Sequence, residues 1–199
     1  MKKVIIICAI VISLFVPAFL FAASCDSEAQ GYFIKFTMEG QEYNLTYGYT
    51  DVGTGEPYAV LLPGEGDEGG DLIRFFGSDV ESDSSVDRED LDNVVDVREV
   101  RLYPHTQGVY EDVYEMATYS TNSHGALVLQ IIENSELYRY ESTAGSSGTL
   151  TISVFGEEGE AVEGTFDITL GLAPAAIGDP SLTIIGEFRL KRVSPDEIP

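Results

Sequence analysis

Cysteine, histidine and basic residues are scarce in this 199-residue chain, and tryptophan is absent. There are two cysteines, two histidines, and 11 Lys and Arg residues against 34 Asp and Glu residues, which give a formal net charge of −23. Because such a charge repels phosphate backbones, we expect no nucleic-acid partner. Two histidines also supply too few nitrogen donors for a histidine-rich zinc site.

The first 24 residues have the parts of a secretory signal. Lys2 and Lys3 precede the apolar run Val4–Phe21, which contains Pro17 and is followed by small residues. A membrane-spanning helix is the competing interpretation, because about 18 apolar residues can cross a bilayer. Removal of residues 1–24 would leave nine basic residues against 34 acidic ones, a formal charge of −25.

The end of this run, Ala22-Ala23-Ser24-Cys25, resembles a bacterial lipobox. The resemblance implies a diacylglycerol thioether on Cys25, cleavage between Ser24 and Cys25, and acylation of the new amino terminus. In a lipobox, leucine is the commonest residue at the position that Ala22 occupies, so the match departs from the pattern there. Cleavage by an ordinary signal peptidase, for which Ala22 and Ser24 satisfy the A-x-A rule, is the alternative.

The cysteine count favours lipidation. Cys8 lies inside the signal, so Cys25 would be the only thiol of the mature chain and could form no internal disulfide. Each buried methylene contributes about 0.8 kcal/mol, so two or three acyl chains would hold the protein stably. We therefore expect a lipid-anchored protein of the bacterial cell envelope, attached to a membrane through acyl chains on Cys25. The sequence does not specify which membrane leaflet carries it.

Apolar and polar residues alternate with a period of two through most of the mature chain, which is typical of half-buried strands. Residues 58–62 and 72–76 are short apolar runs that fit buried strands. The pattern predicts an all-β fold, an antiparallel β-sandwich or open barrel of about nine or ten strands. The inward-facing rows we expect are Tyr32, Ile34, Phe36 and Met38; Leu150, Ile152 and Val154; Val162, Phe166, Ile168 and Leu170; and Leu182, Ile184, Phe188 and Leu190.

The predicted organisation is a signal peptide (1–24), a lipidated tether (25–30), one β-sandwich domain (31–193) and a C-terminal tail (194–199). The segments "IKFTMEGQEY", "GTLTISVFGEEGEAVEGTFDITL" and "GEFRLKR" resemble a group of uncharacterised bacterial lipoproteins with a small all-β domain. That resemblance implies a fold and an envelope location, and it implies no catalytic residues.

One acidic segment is a candidate calcium loop, because calcium takes six to eight oxygen ligands. The spacing is not that of an EF-hand. A solvated acidic loop, with no cofactor in the protein, is therefore the main expectation, and a weakly bound calcium ion is the alternative. The candidate ligands are Asp79, Glu81, Asp83, Asp87, Asp90 and Asp92.

Catalytic patterns are weak. Ser123 and His124 lack the first glycine of a nucleophile elbow, and a triad using His105 is not selected by any spacing. The best acid pair would come from Glu111, Asp112 and Glu115. We therefore expect a non-enzymatic binding or structural role toward an unidentified protein or glycan. The alternatives are a calcium-dependent or carbohydrate-binding module and, second, a hydrolase.

Overall fold

The computed structural model describes residues 31–50, 53–66, 69–79, 94–116, 125–133, 136–142, 146–172 and 181–198, and it confirms the all-β class. One helical element is described in full, the 3-10 turn Pro195–Glu197. The described strands are β1 Phe33–Met38, β2 Gln41–Leu45, β3 Gly48–Thr50, β4 Gly53–Gly55, β5 Tyr58–Leu62, β6 Leu72–Ser78, β7 Val94–Leu102, β8 Val113–Glu115, β9 Gly125–Glu133, β10 Glu136–Glu141, β11 Ser147–Phe155, β12 Ala161–Leu172 and β13 Ser181–Val193.

Two long strands join the two layers of the fold. Eleven strands pair in the order β2-β1-β13-β5-β6-β7-β9-β10-β12-β11-β8, β13 also pairs with β12, and β3 and β4 form a separate hairpin. β13 pairs with β1 along residues 184–189 and then with β5 along 191–193. β12 pairs with β11 and, at residues 171–172, with β10. The result is a sandwich whose two layers, β2-β1-β13-β12-β11-β8 and β5-β6-β7-β9-β10, are linked where β13 meets β5 and where β12 meets β10.

The structure has more strands than the sequence pattern predicted. β3, β4 and β8 are three residues long, too short to show a clear alternation. The pairing of β13 with β5 is parallel, over three residue pairs, whereas the other paired strands are antiparallel among the described residues. β13 passes from one layer to the other, and its sequence alone does not specify that its last residues pair with β5.

The inward-facing rows are confirmed except at Tyr32, which precedes β1 and is only half-buried, and at Val154. All of the predicted residues of β1, β12 and β13 are buried in the main core. Val154 is 41% exposed, so its predicted inward position is wrong. The pairing of β11 with β12 shifts between Ile152 and Val154, and this bulge reverses the alternation. Phe155 packs against the core in its place.

A second, smaller core covers the other face of β5 and β6. This explains why both strands are apolar throughout, as the two short runs predicted. Ile198, just after the 3-10 turn, packs against this core, so the packing extends into the segment predicted as a tail. The buried members of the cluster are Tyr58, Val60, Leu62, Leu72, Phe76 and Val193.

The strand directions define two ends of the sandwich. At the end that we call the cleft end lie the β1–β2 turn, the end of β6, the start of β7 and the start of β13. At the opposite end lie the β5–β6 turn, the β7–β8 and β11–β12 connections and the end of β13. Among the described residues, no helix is long and apolar enough to cross a membrane.

Candidate functional site

A cleft of about 560 Å³ opens at the cleft end, between residues of both layers. Its deeply buried lining side chains are apolar, and its exposed ones are acidic or carry amides. This volume is in the range of small-molecule sites, roughly 300–1,000 Å³. The lining residues are Met38, Glu39, Gln41, Glu42, Tyr43, Asn44, Asp79, Val95, Ile131, Tyr138, Tyr140 and Leu182.

Three tyrosines give the cleft its aromatic surface. Tyr138 and Tyr140 are alternate residues of β10 and therefore share a face of that strand. Tyr43 lies on β2, where its ring stacks on Phe36 with the ring centroids 5.3 Å apart. The Tyr138 hydroxyl donates a hydrogen bond of 2.6 Å to Oε2 of Glu136. Strand pairing and stacking thus orient the rings.

Glu39 is placed in the cleft by an unusual backbone conformation. It forms a two-residue hairpin turn with Gly40 between the paired residues Met38 and Gln41. Glu39 has φ 51° and Gly40 has φ 82°, and Glu39 is the only non-glycine residue with a positive φ in the described part of the chain. Two positive φ values are the signature of a type I′ turn, in which Asn, Asp or Gly is the usual first residue. Burial, and to a lesser extent the Glu39 carboxylate, raises the pKa of Tyr140 above 10.0.

Asp79, the first of the candidate calcium ligands, is hydrogen-bonded to the start of β7. Its Oδ1 accepts a hydrogen bond of 2.8 Å from the Val95 amide, and its own amide donates to the Val95 carbonyl at 3.1 Å. Within the described ranges, no group of three or more His, Cys, Asp or Glu side chains could hold a metal ion. The other calcium candidates, Glu81, Asp83, Asp87, Asp90 and Asp92, lie outside the described residues.

The other predicted sites are only partly described. Ser24, Cys25, Ser123 and His124 lie outside the described residues, and His105 is exposed in the β7–β8 connection.

The acid-pair candidates hold local structure. Glu111 Oε1 accepts a hydrogen bond of 3.2 Å from the Phe155 amide, and Asp112 Oδ1 accepts one of 2.7 Å from the Val113 amide. Glu115 pairs with Thr149 across β8 and β11. The Glu111 and Asp112 carboxylates thus accept backbone hydrogen bonds.

A second depression, of about 600 Å³, runs along the outer surface of β2, β1 and β13. Its lining comes from three adjacent strands of one layer, so it is a groove on a sheet face rather than a cleft between layers. It contains Lys35, whose ammonium group lies 4.2 Å from the centre of the Phe33 ring. We therefore take the tyrosine cleft as the candidate site.

The opposite end holds a polar cluster that the sequence pattern did not reveal. Asp71 is only 4% exposed, and its Oδ2 accepts a hydrogen bond of 2.9 Å from the Tyr110 hydroxyl. The Tyr114 hydroxyl donates to the Tyr110 carbonyl at 2.9 Å. Among the described atoms, Oδ1 of Asp71 has no partner. Burial raises the pKa of Tyr110, and the hydrogen bond to Asp71 raises it further.

Aromatic and cationic groups complete this cluster. The Tyr110 and Phe155 rings lie 4.7 Å apart, and the Arg192 guanidinium lies 4.9 Å from the Phe155 ring. Arg192 Nη1 also donates to the Gly156 carbonyl at 2.7 Å. The cluster ties three connections to β13, so we assign it to stability. One sequence feature could have indicated this cluster: Asp71 ends a Gly-rich acidic loop and directly precedes a buried strand.

Comparison with known proteins found no match: no protein family, curated protein or solved structure is detectably similar to this chain.

Proposed function

We propose that this protein is a lipid-anchored, non-enzymatic binding protein of the bacterial cell envelope, with its ligand site in the tyrosine cleft. The observation that supports the site most directly is the cleft itself, in which rings from β2 and β10 meet acidic and amide groups above a buried apolar base. Concave, largely apolar sites with a few convergent polar groups are the usual form of ligand sites.

The course of the chain supports this arrangement of anchor and site. β1 begins at the end opposite the cleft, where the Tyr32 hydroxyl donates to the Gly159 carbonyl at 3.3 Å. Cys25 precedes Gly31 by six residues, which span at most roughly 20 Å when extended. A lipid on Cys25 would therefore restrain the opposite end of the domain and leave the cleft open to a ligand.

Carbohydrate binding is the second candidate function. Tyrosine ring faces can stack on sugar rings, and the amide groups of Gln41 and Asn44 in the cleft lining can hydrogen-bond hydroxyls. For the calcium alternative, Asp79 is the one candidate ligand among the described residues, and its Oδ1 accepts a backbone hydrogen bond. Melting with and without millimolar calcium tests it directly, and an increase in Tm would favour calcium, because a ligand that binds only the folded state stabilises it.

Metabolic labelling tests the anchor. Expressed in a bacterium with labelled palmitate, the wild-type chain should become labelled and sediment with membranes. The Cys25→Ser chain should be unlabelled and soluble, whereas Cys8→Ser, which alters only the predicted signal, should behave as the wild type. A soluble, unlabelled wild type would refute the anchor and leave the cleft hypothesis intact.

A ligand screen tests the cleft. Thermal melting of residues 25–199 with neutral oligosaccharides, organic amines and calcium should reveal at least one class that raises Tm. Ligand at about 100 times Kd adds about 2.7 kcal/mol to the free energy of unfolding. Tyr138→Leu should remove the shift and Tyr32→Leu, a tyrosine at the opposite end, should retain it. Equal shifts in both variants would place the ligand outside the cleft.

A further inference from the structure

β2 is an edge strand of the eleven-stranded sheet, and its outer edge is regular. The two-residue turn makes Met38 and Gln41 a hydrogen-bonded pair, and such pairs alternate with non-bonded ones along an antiparallel ladder. The backbone amide and carbonyl groups of Glu42 and Asn44 therefore point away from β1. No hydrogen bond from another described residue reaches them. An edge of this kind is a template for one more strand.

The edge strand on the other side of the sheet, β8, is protected. It has only three residues, and the outward-pointing amide of Val113 already donates to Oδ1 of Asp112 at 2.7 Å. Sheets commonly block their edges with short strands, charged side chains, prolines or bulges. β2 has five residues, no proline and no register shift against β1. The more open of the two edges is therefore the one beside the tyrosine cleft.

Depressions flank the β2 edge on both faces of the sheet. Residues 42–44 line the tyrosine cleft on the inner face and also the groove that contains Lys35 on the outer face. Successive side chains of an extended strand point to opposite faces. A strand added to β2 would therefore place alternate side chains in the cleft and in the groove. Because the base of the cleft is buried and apolar, the side chains that enter it should be apolar.

Charge sets a preference on the outer face. Glu42 lies opposite Thr37 in the register of β1 and β2, its side chain is exposed, and it forms no ion pair with a described residue. Lys35 is on the same face, but its ammonium group lies 4.2 Å from the centre of the Phe33 ring. Opposite charges that face each other across two strands attract. A basic residue opposite Glu42 is therefore favoured.

A second copy of the chain suits this edge less well. Two chains that each carry a net charge of −23 repel each other, whereas a basic segment is attracted. β2 itself contains no Lys or Arg, so pairing of two β2 strands would place no basic residue opposite Glu42.

We infer that β2 binds an extended peptide segment of a partner protein by antiparallel strand addition. The segment exchanges backbone hydrogen bonds with Glu42 and Asn44, directs apolar side chains into the tyrosine cleft, and places a Lys or Arg side chain opposite Glu42. In this mode of recognition the backbone hydrogen bonds provide affinity, and the pockets for alternate side chains provide specificity. The inference rests on the proposed function, because it takes the tyrosine cleft as the pocket for the apolar side chains.

Fluorescence anisotropy with the peptide Val-Thr-Leu-Arg-Val-amide, labelled at its amino terminus, tests the inference at about 150 mM salt, which screens diffuse attraction. In the antiparallel register the arginine faces Glu42, the leucine faces Tyr43 and the threonine faces Asn44. N-methylation of the arginine amide removes a donor to β2 and should weaken Kd by about tenfold or more. The leucine amide points away from β2, so its N-methylation should change Kd by less than about threefold.

Variants of the domain locate the peptide on β2. Glu42→Pro removes an outward amide and leaves the bonds to β1 in place, so it should weaken Kd by about tenfold or more, whereas Glu42→Gln keeps that amide and should weaken Kd by less than about threefold. Glu42→Lys should weaken Kd by about fivefold, because like charges then face each other. Glu115→Lys makes the same charge change at an exposed position of β8 and should alter Kd by less than about twofold. Unchanged circular dichroism of the variants guards against loss of fold.

Several results would overturn the inference: no binding of the peptide, equal weakening by the two N-methyl groups, or equal weakening by Glu42→Lys and Glu115→Lys. Sedimentation of the domain without peptide adds another, since a dimer that Glu42→Pro dissociates would make a second copy the occupant of β2. If the peptide fails while a small ligand raises Tm in a Tyr138-dependent way, strand addition is wrong and the cleft remains a binding site. If no ligand responds to any cleft variant either, the proposed function fails as well.

Discussion

Replacement of Tyr110 by phenylalanine removes the only side-chain donor that the described structure provides to the carboxylate of Asp71. Asp71 is 4% exposed and its Oδ1 already lacks a partner among the described atoms, so the variant leaves neither carboxylate oxygen with a hydrogen bond from the described residues. The phenylalanine ring keeps the contact with Phe155, since the ring itself is unchanged. The substitution therefore isolates one hydrogen bond.

The expected loss follows from the charge of the acceptor. Hydrogen bonds to charged groups contribute about 1.5–3 kcal/mol to stability, whereas neutral ones contribute about 1 kcal/mol. Tyr110→Phe should therefore lower the free energy of unfolding by about 1.5–3 kcal/mol. Tyr114→Phe, which removes a neutral hydrogen bond to the Tyr110 carbonyl, should cost about half as much.

Urea denaturation at pH 7 measures both values. Far-ultraviolet circular dichroism is followed together with tyrosine fluorescence, which no tryptophan obscures in this chain. A double-mutant cycle with Asp71→Ala then isolates the pair, because in that background the Tyr110 hydroxyl no longer has its acceptor. The coupling energy should equal most of the loss seen in the single variant.

Two results would refute this reasoning. One is a loss below about 0.5 kcal/mol in Tyr110→Phe, a size typical of ordinary surface substitutions. The other is a loss of the same size in the presence and absence of Asp71, which would assign the effect to ring packing rather than to the hydrogen bond.

Three further predictions concern stability. Gly186→Ala should destabilise the fold by about 1–3 kcal/mol in urea, since the new methyl group collides with the β1 backbone, whereas Gly55→Ala meets open space and should be near neutral. Burial raises the pKa of Tyr114 above 10.0, so the folded chain keeps the phenol proton to a higher pH than the unfolded chain does. The free energy of unfolding should therefore fall above about pH 10. Tyr114→Phe should make that fall less steep, and an equally steep fall in the variant would contradict the argument. Glu39→Asn should raise stability by about 0.5–1 kcal/mol, because asparagine tolerates positive φ better; lowered stability would exclude the turn argument.

The inward-facing rows of β12 and β13 could be predicted from the sequence because each strand has one wet face. Val154 could not, because the bulge beside it depends on the register of β11 against β12. Gly186 shows the same limit. It pairs with Phe36 on one side and Phe166 on the other, and the two rings lie 6.2 Å apart across it. The sequence gives no reason to bring residues 36, 166 and 186 together.

The cleft could not be predicted from the sequence for a related reason. Its lining comes from a turn, the ends of β6 and β7, two alternate residues of β10 and the start of β13, and each of these segments is by itself an ordinary strand end. From the sequence, the acidic segment was expected to be a solvated loop or a calcium site, and none of the cleft tyrosines was a candidate site residue. Only the pairing of distant strands places Tyr43 and Tyr140 around one cavity.

Acidic residues on the sheet faces and in the cleft differ in their partners. On the face of β12 and β13, Glu163 and Arg189 are directly opposite and form an ion pair, which limits repulsion even though a partly exposed pair contributes only about 0–1 kcal/mol. Glu39 has no such partner among the described side chains, raises the pKa of Tyr140 and occupies a backbone conformation that costs a non-glycine residue roughly 1–2 kcal/mol. Strain of this kind clusters at functional sites. Glycine or asparagine would satisfy the β1–β2 turn at a lower backbone cost, so the strained Glu39 supports the proposed ligand site in the tyrosine cleft.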